Sequence, residues 1–197
     1  EGLVFDTFEV QEFDWLQVFN RTPDKAHGSD FGFTQDPTTL VSTIVDTQNK
    51  ELWIYNEHYQ RGMLTDEIYQ MYIDKGLKNA EIIADSAEKR LITEIKRKGI
   101  SNIKPSVKGQ GSIMQGVQFI QGFKIYVHPS CEHTIEELNT YTFDQDKDGN
   151  WLNKPIDENN HILDALRYSL EKFHFPRNNK TNVNIKKNIS RAKAMGL

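Results

Sequence analysis

Residues 26–60 read AHGSDFGFTQDPTTLVSTIVDTQNKELWIYNEHYQ. The runs TTLVSTIVD and ELWIYNEHYQ are rich in Val, Ile, Thr, Tyr and Trp, the residue types that fit a pleated surface. The polar break Thr47-Gln48-Asn49-Lys50 separates them. AHGSDFGF precedes them as a third extended run. This pattern predicts consecutive strands joined by turns, an antiparallel meander. Asp30 lies in the first of these strands. Its flanking glycines, Gly28 and Gly32, leave room for another backbone or a ligand to come close. Asp disfavours strands and its charge is costly to bury, so Asp30 is either a turn residue at a strand end or a site carboxylate.

Downstream of the meander, helical and extended segments alternate. TDEIYQMYIDKGL reads as a helix with Thr65 as N-cap and Gly76 as stop. AEIIAD is a short buried strand ending at Asp85, followed by the amphipathic helix AEKRLITEIKRKG, whose terminal cations suit a helix C-terminus. SNIKPSV and FKIYVHP read as strands, and SIMQGVQFIQG and CEHTIEELNT as helices. YTFDQDKDGNWLN reads as a hairpin turning near Asp148-Gly149. DENNHILDALRYSLEKF closes the series as a strongly amphipathic helix, with Ile162, Leu163, Leu166, Leu170 and Phe173 on its buried side. A meander feeding alternating β and α elements predicts an α/β fold. Its mixed central sheet combines the antiparallel meander with parallel strands and carries helices on both faces.

The chain has 197 residues, enough to bury a core without disulfides, and its lone Cys131 fits a reducing compartment. No apolar run approaches the roughly 18 residues needed to span a membrane. The formal net charge is −4. From Pro176 onward the charged residues are Arg177, Lys180, Lys186, Lys187, Arg191 and Lys193, with no acid among them. A basic tail therefore follows a body more acidic than the total suggests. The expected organisation is a lead-in or interdomain linker over residues 1–24 with at most a short strand, one domain over 25–175, and a flexible tail over 176–197.

Three carboxylates stand where such a fold could gather them. Asp30 is on the first strand of the meander. Asp85 ends a later strand, where sites collect in α/β sheets, although Asp85 or Ser86 also serves as a possible helix N-cap. Asp164 shares a helix face with His161 at spacing i, i+3, and Asp157 already offers a cap for that helix. Carboxylates converging on one point suit two divalent metal ions, and hard oxygen ligands suit Mg²⁺ or Mn²⁺.

Other motifs lead away from function. Asp144, Asp146 and Asp148 imitate an EF-hand start, but Pro155 occupies the position of the bidentate Glu. Asp30-Phe31-Gly32 matches a kinase triplet without its companion motifs. His58, His128, His133 and His174 lack metal-ligand spacing, and Cys131 has no evident base partner. Lys108, beside Gly109-Gln110-Gly111, is a phosphate-contact candidate or a solvated lysine.

The stretches GSDFGFTQDPTTLV, AEIIADSAEKRLITEIKRKG, VKGQGSIMQGVQFIQGFKIYVHP and DGNWLNKPIDENNHILDALRYSL together resemble the nuclease domain of the large terminase subunit of tailed bacteriophages, of the headful-packaging siphophage type. The resemblance covers roughly residues 25–173, and Pro155 to Tyr168 is its most specific part. It implies an RNase H-like fold and endonuclease cleavage of concatemeric double-stranded DNA when packaging starts and ends. It places metal binding on Asp30, Asp85 and Asp164 and gives His161 a role in proton transfer or product release. It further implies a packaging ATPase domain N-terminal to this chain, whose P-loop pattern is absent here. The small terminase subunit and the portal protein are the implied partners, in the host cytoplasm and transiently at the procapsid portal. A non-catalytic docking module and a resolvase or transposase-type nuclease are the competing readings.

Overall fold

The computed structural model describes residues 2–107 and 109–174. Lys108 and the basic tail from Pro176 lie outside the described residues. In chain order the elements are β1 (Glu9–Val10), α1 (Trp15–Arg21), β2 (Lys25–Asp30), β3 (Thr38–Asp46), β4 (Glu51–Gln60), α2 (Thr65–Asp74), β5 (Ile82–Ala84), α3 (Lys89–Lys98), β6 (Ile103–Pro105), α4 (Ser112–Gln121), β7 (Lys124–Val127), α5 (Glu132–Thr140), β8 (Phe143–Gln145), β9 (Trp151–Pro155), α6 (His161–Ser169) and α7 (Glu171–His174).

The expected meander is β2-β3-β4, paired antiparallel with Asp30 opposite Thr39 and Asp46 opposite Glu51. Val, Ile and Thr crowd β3, and all nine of its residues are buried. Their branched side chains pack from both faces of a central strand. The polar break after Asp46 is a turn built by that residue. Its carboxylate accepts from the amides of Gln48 and Asn49, and these bonds hold its pKa below the ordinary range.

The meander forms the middle of a seven-stranded sheet of order β1-β7-β4-β3-β2-β5-β6. The flanking pairs β1-β7, β7-β4, β2-β5 and β5-β6 are all parallel. Leu40 and Val41, adjacent on β3, point to opposite faces. Val41 joins a core with Ile54, Val117, Ile120, Leu138, Ile162 and Leu166, under α4, α5 and α6. Leu40 joins a second core with Ile68, Tyr72, Ile82, Ile92 and Ile95, under α2 and α3. The sheet is thus mixed and covered by helices on both sides.

Several boundaries differ from the sequence expectation. The segment before residue 24 carries α1 as well as β1, and Val4 and Phe5 are buried in the core beneath α4 to α6. Thr65 is the first residue of α2 rather than its cap. Glu67 accepts the Leu64 amide at 2.7 Å, while the Thr65 hydroxyl turns to Glu94. Neither Asp85 nor Ser86 caps α3, because that helix starts four residues beyond Asp85, with Glu88 in the cap position. The final helix starts at His161, not near Asp157, and breaks at Leu170 into α6 and α7. Residues 146–150 form the β8-β9 turn, with Asp146 accepting from the amides of Asp148 and Asn150, and Asp144 lies in β8. Among the described residues no helix is long and apolar enough to cross a membrane.

Candidate active site

Asp30 is the last residue of β2, a strand flanked by β3 and β5. Ser29 and Ala84 are paired across β2 and β5, and the Asp85 amide donates to the Ser29 carbonyl at 3.0 Å. One step beyond that pair, strand alternation turns Asp30 and Asp85 to the same face, the face covered by α6. Ser29 points the other way, where its hydroxyl accepts from Tyr72 and donates to the Thr39 carbonyl.

α6 reaches this position because Gly28 lets it. A Cβ on Gly28 would overlap the Ala165 carbonyl and lie 2.9 Å from the Ser169 Cβ. Only a residue without a side chain lets the helix backbone rest on the strand. The Thr39 hydroxyl also donates to the His161 carbonyl at 3.1 Å, pinning the first turn of α6 to β3. The strand expectation of a close approach beside Asp30 is met here by backbone.

His161 and Asp164 consequently face the end of β2. The His161 Nδ1 lies 3.2 Å from Asp30 Oδ2, and its Nε2 lies 3.6 Å from Asp36 Oδ1. The hydrogen bond to Asp30 raises the imidazole pKa above its ordinary value, against the opposing effect of burial. Burial pushes the Asp30 carboxyl up. Its bond to His161 works against this, and the negative charges of Asp164 and Asp85 push it up further. Asp164 is held differently. Its Oδ1 accepts from Arg167 Nη2 at 2.9 Å and its Oδ2 from the Tyr168 hydroxyl at 3.3 Å. Arg167 is itself buried, and Gly116 on α4 makes room for its stem, since a Cβ there would meet Arg167 Cγ at 2.5 Å.

Asp30, Asp36, Asp157, Glu158, Asn159, Asn160, His161 and Asp164 line an open cleft of about 440 Å³. Asp85 is buried and does not line it; its Oδ1 accepts the Ala87 amide at 3.2 Å. The structure therefore brings Asp30, His161 and Asp164 to one cleft. Asp85 stands close enough to be felt electrostatically by Asp30. Lys108 lies outside the described residues.

Among the described residues, no group of three or more His, Cys, Asp or Glu side chains is drawn together tightly enough to hold a metal ion. The side-chain partners explain this. Asp30 is turned to His161, Asp164 to Arg167 and Tyr168, and Asp85 to its own turn. The donor chemistry nonetheless fits a hard divalent cation. Three carboxylates press on one another here, and a cation between them would relieve the charge that Asp85 and Asp164 impose on Asp30.

Several residues that shape the site escape a sequence reading. For Arg167 the one local signal is its i, i+3 spacing from Asp164, while the space that seats it is left by Gly116 on α4. Asp36 is brought to His161 by the fold of the loop after β2. Glu137 of α5 accepts the amides of Ile162 and Leu163, at 3.1 and 3.0 Å, so the cap of α6 comes from α5 and not from Asp157. No local signal marks that long-range contact.

The model of the terminase RNase H-like domain family matches residues 30–172, from the first candidate aspartate through α6. The chain is 33% identical over 148 residues to the PBSX phage terminase large subunit of Bacillus subtilis, covering 74% of this chain and 34% of that protein. It is 27% identical over 175 residues to the terminase large subunit of Bacillus phage SPP1, covering 87% of this chain and 39% of that protein. It thus spans little more than a third of the length of these relatives. In fold it resembles the nuclease domain of the large terminase g2p from bacteriophage SPP1, solved with bound Mn. The TM-score is 0.80 at 24% identity, over 87% of this chain and 99% of that one. The sheet order, the helices on both faces and the match running through Asp30, Asp85 and Asp164 agree: the chain belongs to the terminase RNase H-like domain family.

Proposed function

We propose that this chain is a metal-dependent endonuclease domain. In this reading it hydrolyses phosphodiester bonds of concatemeric viral double-stranded DNA when packaging begins and ends. The observation that supports the reading is the convergence of Asp30, His161 and Asp164 on one cleft where β2 ends beneath α6, with Asp85 at the end of β5 close enough to act on Asp30 electrostatically. The Mn bound to the SPP1 nuclease domain supports divalent metal use by this chain. Asp30, Asp85 and Asp164 would hold two divalent ions, Mg²⁺ or Mn²⁺, which when bound supply positive charge to the phosphate and to the attacking and leaving oxygens. Asp164 must then exchange its bonds to Arg167 and Tyr168 for a new partner, and Arg167 keeps it aimed until that happens. His161, whose pKa is raised by its hydrogen bond to Asp30, would give a proton to a leaving oxygen at the cleft. Lys108 is assigned a phosphate contact.

The parent polypeptide would carry the packaging ATPase domain N-terminal to this chain and meet the small terminase subunit and the portal protein in the host cytoplasm. The test is cleavage of supercoiled, linear and branched DNA with Mg²⁺, Mn²⁺ or Ca²⁺. Mn²⁺ and Mg²⁺ should support cutting, and Ca²⁺ should bind with little turnover because its looser geometry suits in-line displacement poorly. Asp30→Ala, Asp85→Ala and Asp164→Ala should each abolish cutting while the fold stays intact. Full activity in Asp30→Ala would refute the reading, and preference for branched DNA would reassign the substrate.

A further inference from the structure

α6 carries both His161 and Asp164 in its first turn, and that turn lacks a cap of its own. Asn160, at the N-cap position, makes no side-chain bond to the helix amides. Glu137 supplies both acceptors, one oxygen to Ile162 and the other to Leu163. It does so from inside the protein, at 4% exposure. α5, which carries Glu137, is held the same way. Cys131 at its N-cap position makes no side-chain cap bond, and Glu57 of β4 accepts the amides of His133 and Thr134, both at 2.9 Å. The Thr134 hydroxyl adds a third bond to Glu57 at 2.6 Å. Two carboxylates in series therefore connect β4 to α5 and α5 to α6.

The first four amides of a helix have no partner within it, so the first turn frays first when its cap is lost. Here the turn at risk is His161 to Asp164. Below it, Leu166 and Leu170 are anchored in the core and would keep the rest of the segment docked. We propose that Glu137 is a positioning residue of the nuclease site. It fixes the first turn of α6, and so the aim of His161 and Asp164 at Asp30, without touching DNA or a metal ion itself. The inference rests on the proposed nuclease activity, and its test separates the two.

Glu137→Ala removes both acceptors. Glu137→Gln keeps the shape and one acceptor oxygen. Asp14→Ala removes the cap of α1, which accepts the Leu16 amide at 2.9 Å on an exposed helix end, and serves as a control for general destabilisation. In Mn²⁺-dependent plasmid cleavage, Glu137→Ala should lose at least about tenfold in kcat with KM for DNA little changed, since misplacing a site group costs turnover before binding. Its Mn²⁺ affinity without DNA should fall. Amide exchange at Ile162, Leu163 and Asp164 should rise, with β3 unaffected. Glu137→Gln should recover part of each loss, since it restores an acceptor to one of the two amides while its NH2 faces the other, and Asp14→Ala should lower Tm with kcat unchanged. Wild-type kcat and exchange in Glu137→Ala would overturn the proposal. So would a Gln variant no better than Ala, or a kcat loss in Asp14→Ala matching that of Glu137→Ala. A wild-type protein that neither cleaves nor binds Mn²⁺ would refute the nuclease reading instead. The exchange data would still decide whether Glu137 orders the turn.

Discussion

Gly28→Ala tests whether the site depends on how closely α6 lies on β2. The new methyl would sit 2.8 Å from the Ala165 carbonyl carbon, overlap its oxygen and lie 2.9 Å from the Ser169 Cβ. These are mostly backbone atoms, so no side-chain rotation removes the clash. The helix must move away by roughly 1 Å or more before ordinary contact returns, and overpacking of this kind costs about 1–3 kcal/mol or somewhat more. The same movement carries Asp164 and His161 away from Asp30, and a 1 Å misplacement can cost about 10²-fold in rate. Urea denaturation should show the stability loss, and Mn²⁺-dependent plasmid cleavage the rate loss. Because Asp30, Asp85 and Asp164 all remain, the rate should fall without any change in site chemistry. A variant with an unchanged urea midpoint and cleavage within twofold of wild type would refute the claim that this contact sets the site.

Asp30→Asn should stabilise the metal-free protein. Folding disfavours the ionised form of Asp30, first through burial and then through Asp164 and Asp85, so a neutral isostere removes a penalty that is present at neutral pH. Denaturation in EDTA checks it, and a destabilised variant would count against mutual repulsion. Glu137 should make stability fall as pH rises. Burial pushes its pKa from 4.5 up to about 7, so the native state holds its proton across that window while the unfolded chain has released it. Its contribution is fully present below pH 4.5 and lost by about pH 7, a difference on the order of 3 kcal/mol. Glu137→Gln should flatten that slope relative to wild type, and parallel curves would refute it.

What the sequence made legible, and what it hid, follows from the range of the interactions involved. The meander was readable because β-branched and aromatic residues recur in register along β3 and β4, and the Asp46 turn is closed by its own neighbours. The convergence of Asp30, Asp164 and His161 on one cleft was readable because an acid at the end of a buried strand and a polar pair on an apolar helix stand out locally. The start of α6 was not readable. Asp157 looks like a cap, but the working cap is Glu137, and only the docking of α5 on α6 brings it there. Thr65 failed for a different, local reason: the Leu64 amide donates to Glu67, three residues on, and the helix boundary lies one residue earlier than a Thr65 cap would set it. Asp36 and Arg167 acquired their roles through loop geometry and through the space left by Gly116.

The charge of the cleft sets a condition on how DNA is bound. Asp30, Asp36, Asp157, Glu158 and Asp164 line it, and His161 is the single basic side chain among the lining residues. A phosphate entering without metal meets repulsion from several carboxylates at once, with only the imidazole to offset it. A pair of unit charges 4 Å apart in water interacts by about 1 kcal/mol, and more where solvent is partly excluded. Removing one carboxylate that faces the phosphate should therefore strengthen metal-free DNA binding by about fivefold. Asp164→Asn is the informative variant, because it removes a carboxylate of the cleft and leaves the charge of buried Arg167 beside it no longer neutralised. Titration of labelled duplex DNA in EDTA at fixed salt should show Asp164→Asn binding more tightly than wild type while failing to cut when Mn²⁺ is added. Raising Mn²⁺ should tighten wild-type binding more than variant binding, because metal relieves in the wild type what the substitution has already removed. Equal affinities in EDTA would mean that DNA does not approach these carboxylates, and the cleft would no longer be where the phosphodiester is cut.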